Sequence, residues 1–263
     1  MNKTGRIVIA LPLLALFNAG VQAKELTVMI SGGFKAAWEQ LAPRFAAQEG
    51  YKITTVSGPS MGQSAQAIPA RLARGERADV VIMVGDALEK LDKAGWVLPG
   101  SRVELADSPV GAVIKKGDTP VSIKTTEELR TVLLRARSVA YSDSASGRYV
   151  SSQLFEKLSI ADRVSSKARM IERIPVASVV ADGQYALGFQ QVSELLPVPG
   201  VTFIGELPAS VQYTTRFAGA VTKGAVDGQE AQKLLRYLSS PAVQQTVRAT
   251  GLKTVAKQTA TVQ

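Results

Sequence analysis

Short apolar segments typical of β-strands alternate with segments of helical periodicity in the first part of this sequence. The strand-like segments are 26–30, 53–56 and 79–84. Each is followed by a stretch in which apolar residues recur about every three to four positions. Residues 79–84 are almost continuously apolar, as in a parallel strand that is buried on both faces. Three strand–helix repeats in succession predict an α/β fold with a mainly parallel sheet and right-handed crossovers.

The rest of the chain continues this pattern less regularly. Further strand-like segments are 109–114, 139–141, 186–189, 201–204 and 217–221, and two helical segments close the chain. No Gly/Ser-rich linker separates the two blocks, so we predict two closely joined lobes with the chain returning to the first. The expected boundaries are 24–107 plus 217–263 for lobe 1 and 108–216 for lobe 2. The cleft between the lobes is the expected ligand site.

The first 23 residues have the organisation of a secretory signal peptide. Lys3 and Arg6 precede an apolar run at 7–17, and small residues lead to Ala23. The apolar run is too short to cross a hydrocarbon core of roughly 30 Å as a helix. We therefore expect cleavage after Ala23, a periplasmic location, and no membrane insertion of the mature chain.

Two residue types are missing from the 263-residue sequence, which contains no Cys and no His. This excludes disulfides, thiol nucleophiles, thiolate metal sites, Ser-His-Asp triads and imidazole bases. The formal net charge is +9, but Lys and Arg are scattered and no aromatic residues interleave with them. A solvated basic surface is therefore favoured over nucleic-acid binding. We expect a monomer with no metal, no cofactor and no nucleic-acid partner.

Three Ser- and Gly-rich loops follow predicted strands and lie at or near helix N-termini. They are 31–33, 57–62 and 142–147. Ligands of open α/β sheets bind beyond the carboxyl ends of the strands, and helix N-termini favour anions. Gly32 and Gly33 allow close approach of the backbone, while Ser hydroxyls donate hydrogen bonds without adding charge. The sequence lacks the phosphate-binding G-x-x-x-x-G-K-[ST] motif, so the loops predict a site for a small anion rather than a nucleotide.

The order of these segments resembles the periplasmic molybdate-binding protein family. The resemblance is carried by 26–33, 57–62, 78–82, 144–147 and 187–189. It implies a type II periplasmic-binding fold, in which two α/β lobes hold an oxyanion between helix N-termini. It also implies hinge strands near 105–112 and 212–219, where Gly111 and Gly219 could absorb a rotation.

The resemblance further implies which positions donate hydrogen bonds to the ligand. The positions that match the family's serine hydroxyls and backbone amides are Ser31, Ser60 (with Ser57 as the alternative), Ala145 beside Ser146, and Ala177 or Ser178.

Two positions depart from the family pattern. Gln190 stands where the family has a tyrosine hydroxyl, and Gly32-Gly33 stand where further small polar residues are common. The start at 31–35 and the stretch Gly-Phe-Gln-Gln-Val-Ser-Glu-Leu-Leu-Pro at 188–197 resemble a subgroup similar to aconitate isomerase, a periplasmic enzyme built on this binding fold.

Two functions remain open from the sequence. In the leading hypothesis the protein captures a small anion, either an oxyanion or a di- or tricarboxylate, and presents it to an ABC transporter permease. The donors would be Ser31, Ser60, amides near Ala145 and Ser178, and Gln190. This hypothesis leads because binding is the usual work of the fold.

The alternative is a cofactor-independent isomerase that interconverts cis- and trans-aconitate by an allylic proton shift. Lys35, Arg71 and Arg148 are then the candidate cations for the substrate carboxylates. Tyr141 or Lys35 would carry the proton if its surroundings lowered its pKa, and Asp143 is a weaker candidate.

Overall fold

The computed structural model describes residues 24–255. The predicted signal peptide and the cleavage after Ala23 lie outside this range. Within it, none of the helices is both long enough and apolar enough to traverse a bilayer. The strands are β1 Lys24–Ile30, β2 Tyr51–Ser57, β3 Val80–Val84, β4 Val103–Lys115, β5 Val139–Ser142, β6 Ala168–Ile171, β7 Leu187–Gln191, β8 Val201–Glu206 and β9 Thr214–Val221.

Helices connect most of these strands and include several short ones. They are α1 Gly32–Glu49, α2 Ile68–Ala73, α3 Gly85–Lys93, α4 Thr126–Arg135, α5 Ala145–Tyr149, α6 Phe155–Lys157, α7 Ala161–Val164, α8 Val176–Ala181, α9 Val192–Leu195, α10 Gly228–Ser239 and α11 Gln244–Ala249. A π-helical turn, Val150–Leu154, joins α5 to α6. A 3-10 turn, Pro241–Val243, precedes α11.

The strands form one mixed sheet with the order β2-β1-β3-β9-β4-β7-β5-β6, and β8 pairs with β4 outside this path. β1 is parallel to β2 and β3, and β5 is parallel to β6 and β7. We call β2, β1, β3, β9 and the start of β4 the first half-sheet. The end of β4 with β7, β5, β6 and β8 is the second half-sheet. The predicted α/β class is confirmed. The pairing is mixed: four strand pairs are parallel, and the four antiparallel pairs all involve β4 or β9.

Apolar side chains build two large core clusters, one for each half-sheet. The first contains Phe34, Trp38, Phe45 and other residues within 26–106 and 217–252. The second contains Phe155, Phe189 and other residues within 110–211. Two smaller clusters also lie within 113–195. This division supports the predicted lobes, 24–107 plus 217–263 and 108–216, whose boundaries stay a prediction.

Helix α1 follows from its apolar periodicity. Its buried face includes Phe34, Trp38, Leu41 and Phe45, which pack against the first half-sheet. The helix ends at Gly50, whose φ of 70° lies in the left-handed region that glycine adopts without strain. This buried face accounts for the helical spacing of apolar residues after the strand-like segment 26–30.

β4 crosses from one half-sheet to the other. Its residues 103–109 pair with β9, while residues 110–115 pair with β7 and β8. Gly111 and Gly219 have close neighbours that limit side-chain size: an added Cβ would lie 2.7 Å from Phe203 at Gly111 and 2.4 Å from Leu235 at Gly219. Packing therefore explains both glycines, and their proposed role in a hinge rotation stays a prediction.

The end of the described chain also touches both half-sheets. Leu252 is buried in the first core cluster. The backbone of Lys253 pairs with that of Asp107 in β4 through two hydrogen bonds of 2.7 and 2.8 Å. The ammonium group of Lys253 donates to Glu206 of β8 at 2.6 Å. Residues 252–253 thus form a third connection beside β4 and the segment that leads into β9.

Candidate functional site

The carboxyl ends of β1, β2 and β3 lie at the same edge of the first half-sheet because the three strands are parallel. Ile30 pairs with Ser57 on one side and with Ile82 on the other. The amide of Ser31 donates to the carbonyl of Ile82 at 3.0 Å. The first two predicted loops are therefore neighbours in space, as the sequence analysis expected.

The second half-sheet has an equivalent edge. β5, β6 and β7 are parallel, so the loop after Ser142, the loop after Ile171 and the start of α9 after Gln191 share one side of the sheet. Helices α5, α8 and α9 begin at this edge. The third predicted loop, at 142–147, lies here.

The two edges meet where α1 and α9 begin. The hydroxyl of Ser193 donates to the carbonyl of Gly33 at 2.7 Å. A Cβ added to Gly33 would lie 2.0 Å from Oε1 of Gln191, and one added to Gly32 would lie 2.2 Å from Oε1 of Glu194. Residues 31–33 and 190–194 therefore form one contact region, which we call the α1–α9 junction. Only residues without a Cβ fit at these two positions in this arrangement.

Ser31 is buried at the junction without a hydrogen-bond partner for its hydroxyl. Ser31 as a whole is 5% exposed, and its backbone is extended immediately before α1. Oγ of Ser31 and Oε1 of Gln191 are both buried polar atoms with no partner among the described residues. A buried polar group without a partner costs about 1 to 3 kcal/mol, so such atoms are suited to a hydrogen-bonding ligand.

Ser60 and Ser57 are in different environments. Ser60 is 5% exposed, and its hydroxyl oxygen accepts from the amide of Val84 at 2.9 Å. That contact leaves the hydroxyl proton of Ser60 free to donate. Ser57 is exposed. The geometry favours Ser60 as the ligand donor of the second loop, which stays a prediction.

The third loop differs from its predicted form. α5 begins at Ala145, so Ser146 and Gly147 belong to a helix rather than to a loop. The reason is a close approach: a Cβ on Gly147 would lie 1.6 Å from the carbonyl oxygen of Ser142. The hydroxyls of Ser142, Ser144 and Ser146 lie 2.7 to 3.1 Å from one another. Ser146 is fully buried, which makes its role partly structural.

The three predicted cations are not joined to the junction by hydrogen bonds or ion pairs. Lys35 has a side chain that is 47% exposed and lies 3.5 Å from Glu39 on the next turn of α1. Arg71 is beside the second loop, but it is bound to Glu76 at 2.7 Å. Arg148 is exposed. The buried, cation-rich surroundings that a proton-carrying Lys35 would require are therefore absent at its position.

Tyr141 and Ser178 also have neighbours that bear on their predicted roles. Tyr141 is partly buried and packs against the second core cluster, between Phe189 and Met170 in the sheet. The amide and the hydroxyl of Ser178 both donate to the carbonyl of Pro175, at 3.1 and 2.6 Å. The donors of Ser178 are thus already used. Ala177 is fully buried within α8.

Gln190 connects α8 to α9 through the two ends of its amide. Its Oε1 accepts from the amide of Val176, the first residue of α8, at 2.9 Å. Its Nε2 donates to Oε2 of Glu194. Because the Val176 amide is a donor, the oxygen of Gln190 must face α8, and the NH₂ group must face Glu194. Gln190 is 8% exposed and lies within β7, not after it.

Glu194 is a titratable residue at the junction that the sequence analysis did not select. It is partly buried on α9 between Gln190 and Gly32. Burial raises the pKa of Glu194 to about 7, the hydrogen bond from Gln190 opposes this rise, and the negative charge of Asp143 adds to it. The available signal was the spacing of Gln190 and Glu194 directly after a predicted strand. A carboxyl group with this pKa exchanges its proton near neutral pH.

We also looked for metal-binding clusters and surface grooves elsewhere in the described chain. Residues 24–255 contain no cluster of three or more acidic side chains able to hold a metal ion. Two surface grooves, of about 290 and 370 Å³, are lined by residues within 38–55 and 121–132. Neither groove includes a predicted site residue. The α1–α9 junction is therefore the candidate functional site.

Known proteins similar to this chain fall into two groups. Aconitate isomerase from Pseudomonas sp is 42% identical over 233 residues, which covers 89% of each chain. The molybdate-binding protein ModA of Azotobacter vinelandii is 25% identical over 253 residues, covering 94% of this chain and 96% of ModA.

Solved structures confirm the predicted type II periplasmic-binding fold. The periplasmic molybdate-binding protein of Azotobacter vinelandii superposes with a TM-score of 0.71 at 23% identity, covering 89% of this chain and 100% of that one. The sulfate-binding protein SubI from Mycobacterium tuberculosis gives 0.69 at 16% identity, covering 89% and 88%. Residues 26–253 match the family model of bacterial extracellular solute-binding proteins. The chain belongs to this family of bacterial extracellular solute-binding proteins.

Proposed function

We propose that this solute-binding protein holds a small polycarboxylate at the α1–α9 junction and interconverts cis- and trans-aconitate there. The observation that carries the proposal is the 42% identity with aconitate isomerase over 89% of both chains. The identity with molybdate-binding ModA is lower, at 25%. The isomerase was the alternative hypothesis from the sequence, and it places catalysis in the same cleft as binding.

Uncharged donors at the junction suit a carboxylate ligand. Ser31 presents a buried hydroxyl without a partner at the start of α1, an 18-residue helix whose dipole favours negative charge at this end. Gly32 is exposed and has no side chain to cover its backbone. Ser60 and the amide of Ala145 complete the proposed donor set from the two half-sheets. Uncharged donors leave ligand discrimination to shape and to hydrogen-bond satisfaction.

The proposed reaction requires an acid–base group and no redox chemistry. A proton leaves the methylene carbon of aconitate and returns to the other end of the allylic unit, so the double bond changes position. The new double bond forms in either geometry, which interconverts the cis and trans isomers. A carboxyl group whose pKa lies near neutrality is suited to this proton transfer.

A second candidate function is capture of an oxyanion such as molybdate for an ABC transporter permease. The similarity to ModA over 94% of the chain favours it. Both candidate functions include the periplasmic location and the cleavage after Ala23, because each requires an exported protein with a ligand cleft.

The test is an isomerisation assay with the purified protein. We expect the protein to convert trans-aconitate to cis-aconitate. Ultraviolet absorbance and proton NMR monitor this conversion. In D₂O, deuterium should enter the methylene position. Absence of both conversion and exchange would contradict the proposal.

A thermal-shift series ranks the ligands independently. Molybdate, tungstate, sulfate, citrate and aconitate are compared at equal concentrations, because a ligand that binds the folded state raises Tm. We expect aconitate and citrate to give the largest shifts. A large shift with molybdate and tungstate alone would support the transporter-linked candidate instead.

A further inference from the structure

Glu194 presents one carboxylate oxygen to the start of α1. Its Oε2 receives the hydrogen bond from Nε2 of Gln190, whereas Oε1 lies 2.2 Å from the position that a Cβ on Gly32 would occupy. Within residues 24–255, Oε1 accepts no hydrogen bond and no Lys or Arg forms an ion pair with Glu194. The free oxygen therefore lies against the first residue of α1, which follows Ser31 in the chain.

We propose that Glu194 is the catalytic residue that carries the proton in aconitate isomerisation, and that Gln190 is its positioning residue. This inference rests on the proposed function, because it assigns a role within that reaction. The sequence predicts Gln190 only as a ligand donor and predicts no role for Glu194.

The proposed step balances without a further reactant. Oε1 of ionised Glu194 takes a proton from the methylene carbon, and the C–H electron pair becomes the new C=C bond. The electron pair of the former C=C bond then forms a C–H bond at the other end of the allylic unit, using the proton returned by Glu194. The carboxylate is regenerated, so a single group acts first as base and then as acid.

Three other residues were candidates for this role, and each is less well placed. The side chain of Lys35 is about half exposed and lies beside Glu39. Tyr141 packs against the second core cluster. Asp143 is exposed at the edge of the third loop, where its charge acts on Glu194 instead.

The groups around Glu194 explain why its proton is available near neutral pH. From β7, Gln190 stabilises the carboxylate, while the loop before α5 contributes the negative charge of Asp143. From α1, uncharged Gly32 packs against the carboxylate, and Gly251 near the chain end packs on Val192 of the same short helix. Burial is the dominant effect, and it raises the pKa to about 7.

Glu194→Gln provides the main test because it keeps the size of the side chain and removes the base. We expect kcat for aconitate to fall by about 10² to 10⁴, the usual contribution of a general acid–base group, while aconitate still raises Tm. Deuterium exchange at the methylene should fall in parallel. Glu172→Gln is the matched control, because Glu172 is exposed and has no side-chain hydrogen bond or ion pair within residues 24–255. The kcat of this variant should equal that of the wild type.

A pH profile separates catalysis from a structural role. The kcat/KM of the wild type should rise with pH as Glu194 ionises. Gln190→Leu should move this midpoint to higher pH, because it removes the hydrogen bond that lowers the pKa of Glu194. Glu194→Asp keeps a carboxyl group and should retain more activity than Glu194→Gln.

The outcomes distinguish the inference from the function on which it rests. An active wild type together with a Glu194→Gln variant within threefold of its kcat would overturn the role of Glu194 and leave the isomerase proposal intact. An unchanged pH midpoint in folded Gln190→Leu would overturn the positioning role. A wild type without any isomerisation or exchange would remove both the proposed function and this inference.

Discussion

Glu194→Gln should change how the stability of the folded protein depends on pH, even without a ligand. Burial raises the pKa of Glu194 from 4.5 to about 7 in the folded state. The folded protein therefore holds this proton more tightly than the unfolded chain does. The stabilisation from the protonated group is fully present below about pH 4.5, and it is lost as pH rises through about 7.

The size of the effect follows from the interval between the two pKa values. Each pH unit in that interval corresponds to about 1.4 kcal/mol. The full interval corresponds to about 3.4 kcal/mol. Solvent access to this partly buried group reduces the effect, so full ionisation of Glu194 should lower the free energy of unfolding by about 2 to 3 kcal/mol. Glutamine does not ionise, so Glu194→Gln should gain this amount relative to the wild type between pH 5 and 8.

Urea unfolding of both proteins across this pH range measures the difference directly. Subtracting the two curves cancels the titration of every other group, and Glu172→Gln should show a flat difference from the wild type. A flat difference for Glu194→Gln as well would refute the reasoning, because it would mean that ionised Glu194 is as well solvated in the folded protein as in the unfolded chain.

Three further substitutions test the site and the fold. Ser31→Ala should weaken aconitate binding about tenfold in calorimetry without lowering Tm; unchanged affinity would remove this loop from the site. Gly147→Ala should destabilise the protein by about 1 to 3 kcal/mol in urea unfolding, since its Cβ would lie 1.6 Å from the carbonyl oxygen of Ser142, and a neutral result would contradict the described start of α5. Thr125→Ala should cost about 1 kcal/mol because Thr125 and Glu128 form a complete capping box at α4, and an unchanged urea midpoint would contradict that role.

Within the first half-sheet, the sequence predicted β3 most clearly because this strand is buried on both faces. Residues 79–84 are nearly all apolar, and β3 is buried at every position. Its flanking helix α1 shows equally clear periodicity. β6 and α8 were not predicted, since their short segments carry little periodic signal and their burial depends on partners elsewhere in the sheet.

Loop composition predicted where the candidate site lies but not the carboxyl group found there. The Ser- and Gly-rich loops at 31–33 and 57–62 lie side by side because parallel strands end at one edge. The segment after Ser142 was predicted as a loop, yet the contact of Gly147 with Ser142 lets a helix begin at Ala145. Local propensity does not report such a contact.

The sequence signal for Glu194, its spacing from Gln190, is weak for a related reason. Its properties come from burial, from Gln190 and from the approach of Gly32, which is distant along the chain. In the sequence it is one glutamate in a short amphipathic segment. Only the packing of α9 on α1 distinguishes it from an exposed glutamate such as Glu172.

The backbone pairing of Asp107 with Lys253 has a mechanical consequence. Leu252 is anchored in one core and Lys253 is held by Glu206 in the other half of the molecule. Two connecting strands alone would permit the halves to twist as well as bend. A third tie resists twisting, so the predicted hinge rotation should follow one preferred direction and bring the start of α1 onto α9 in the same alignment each time.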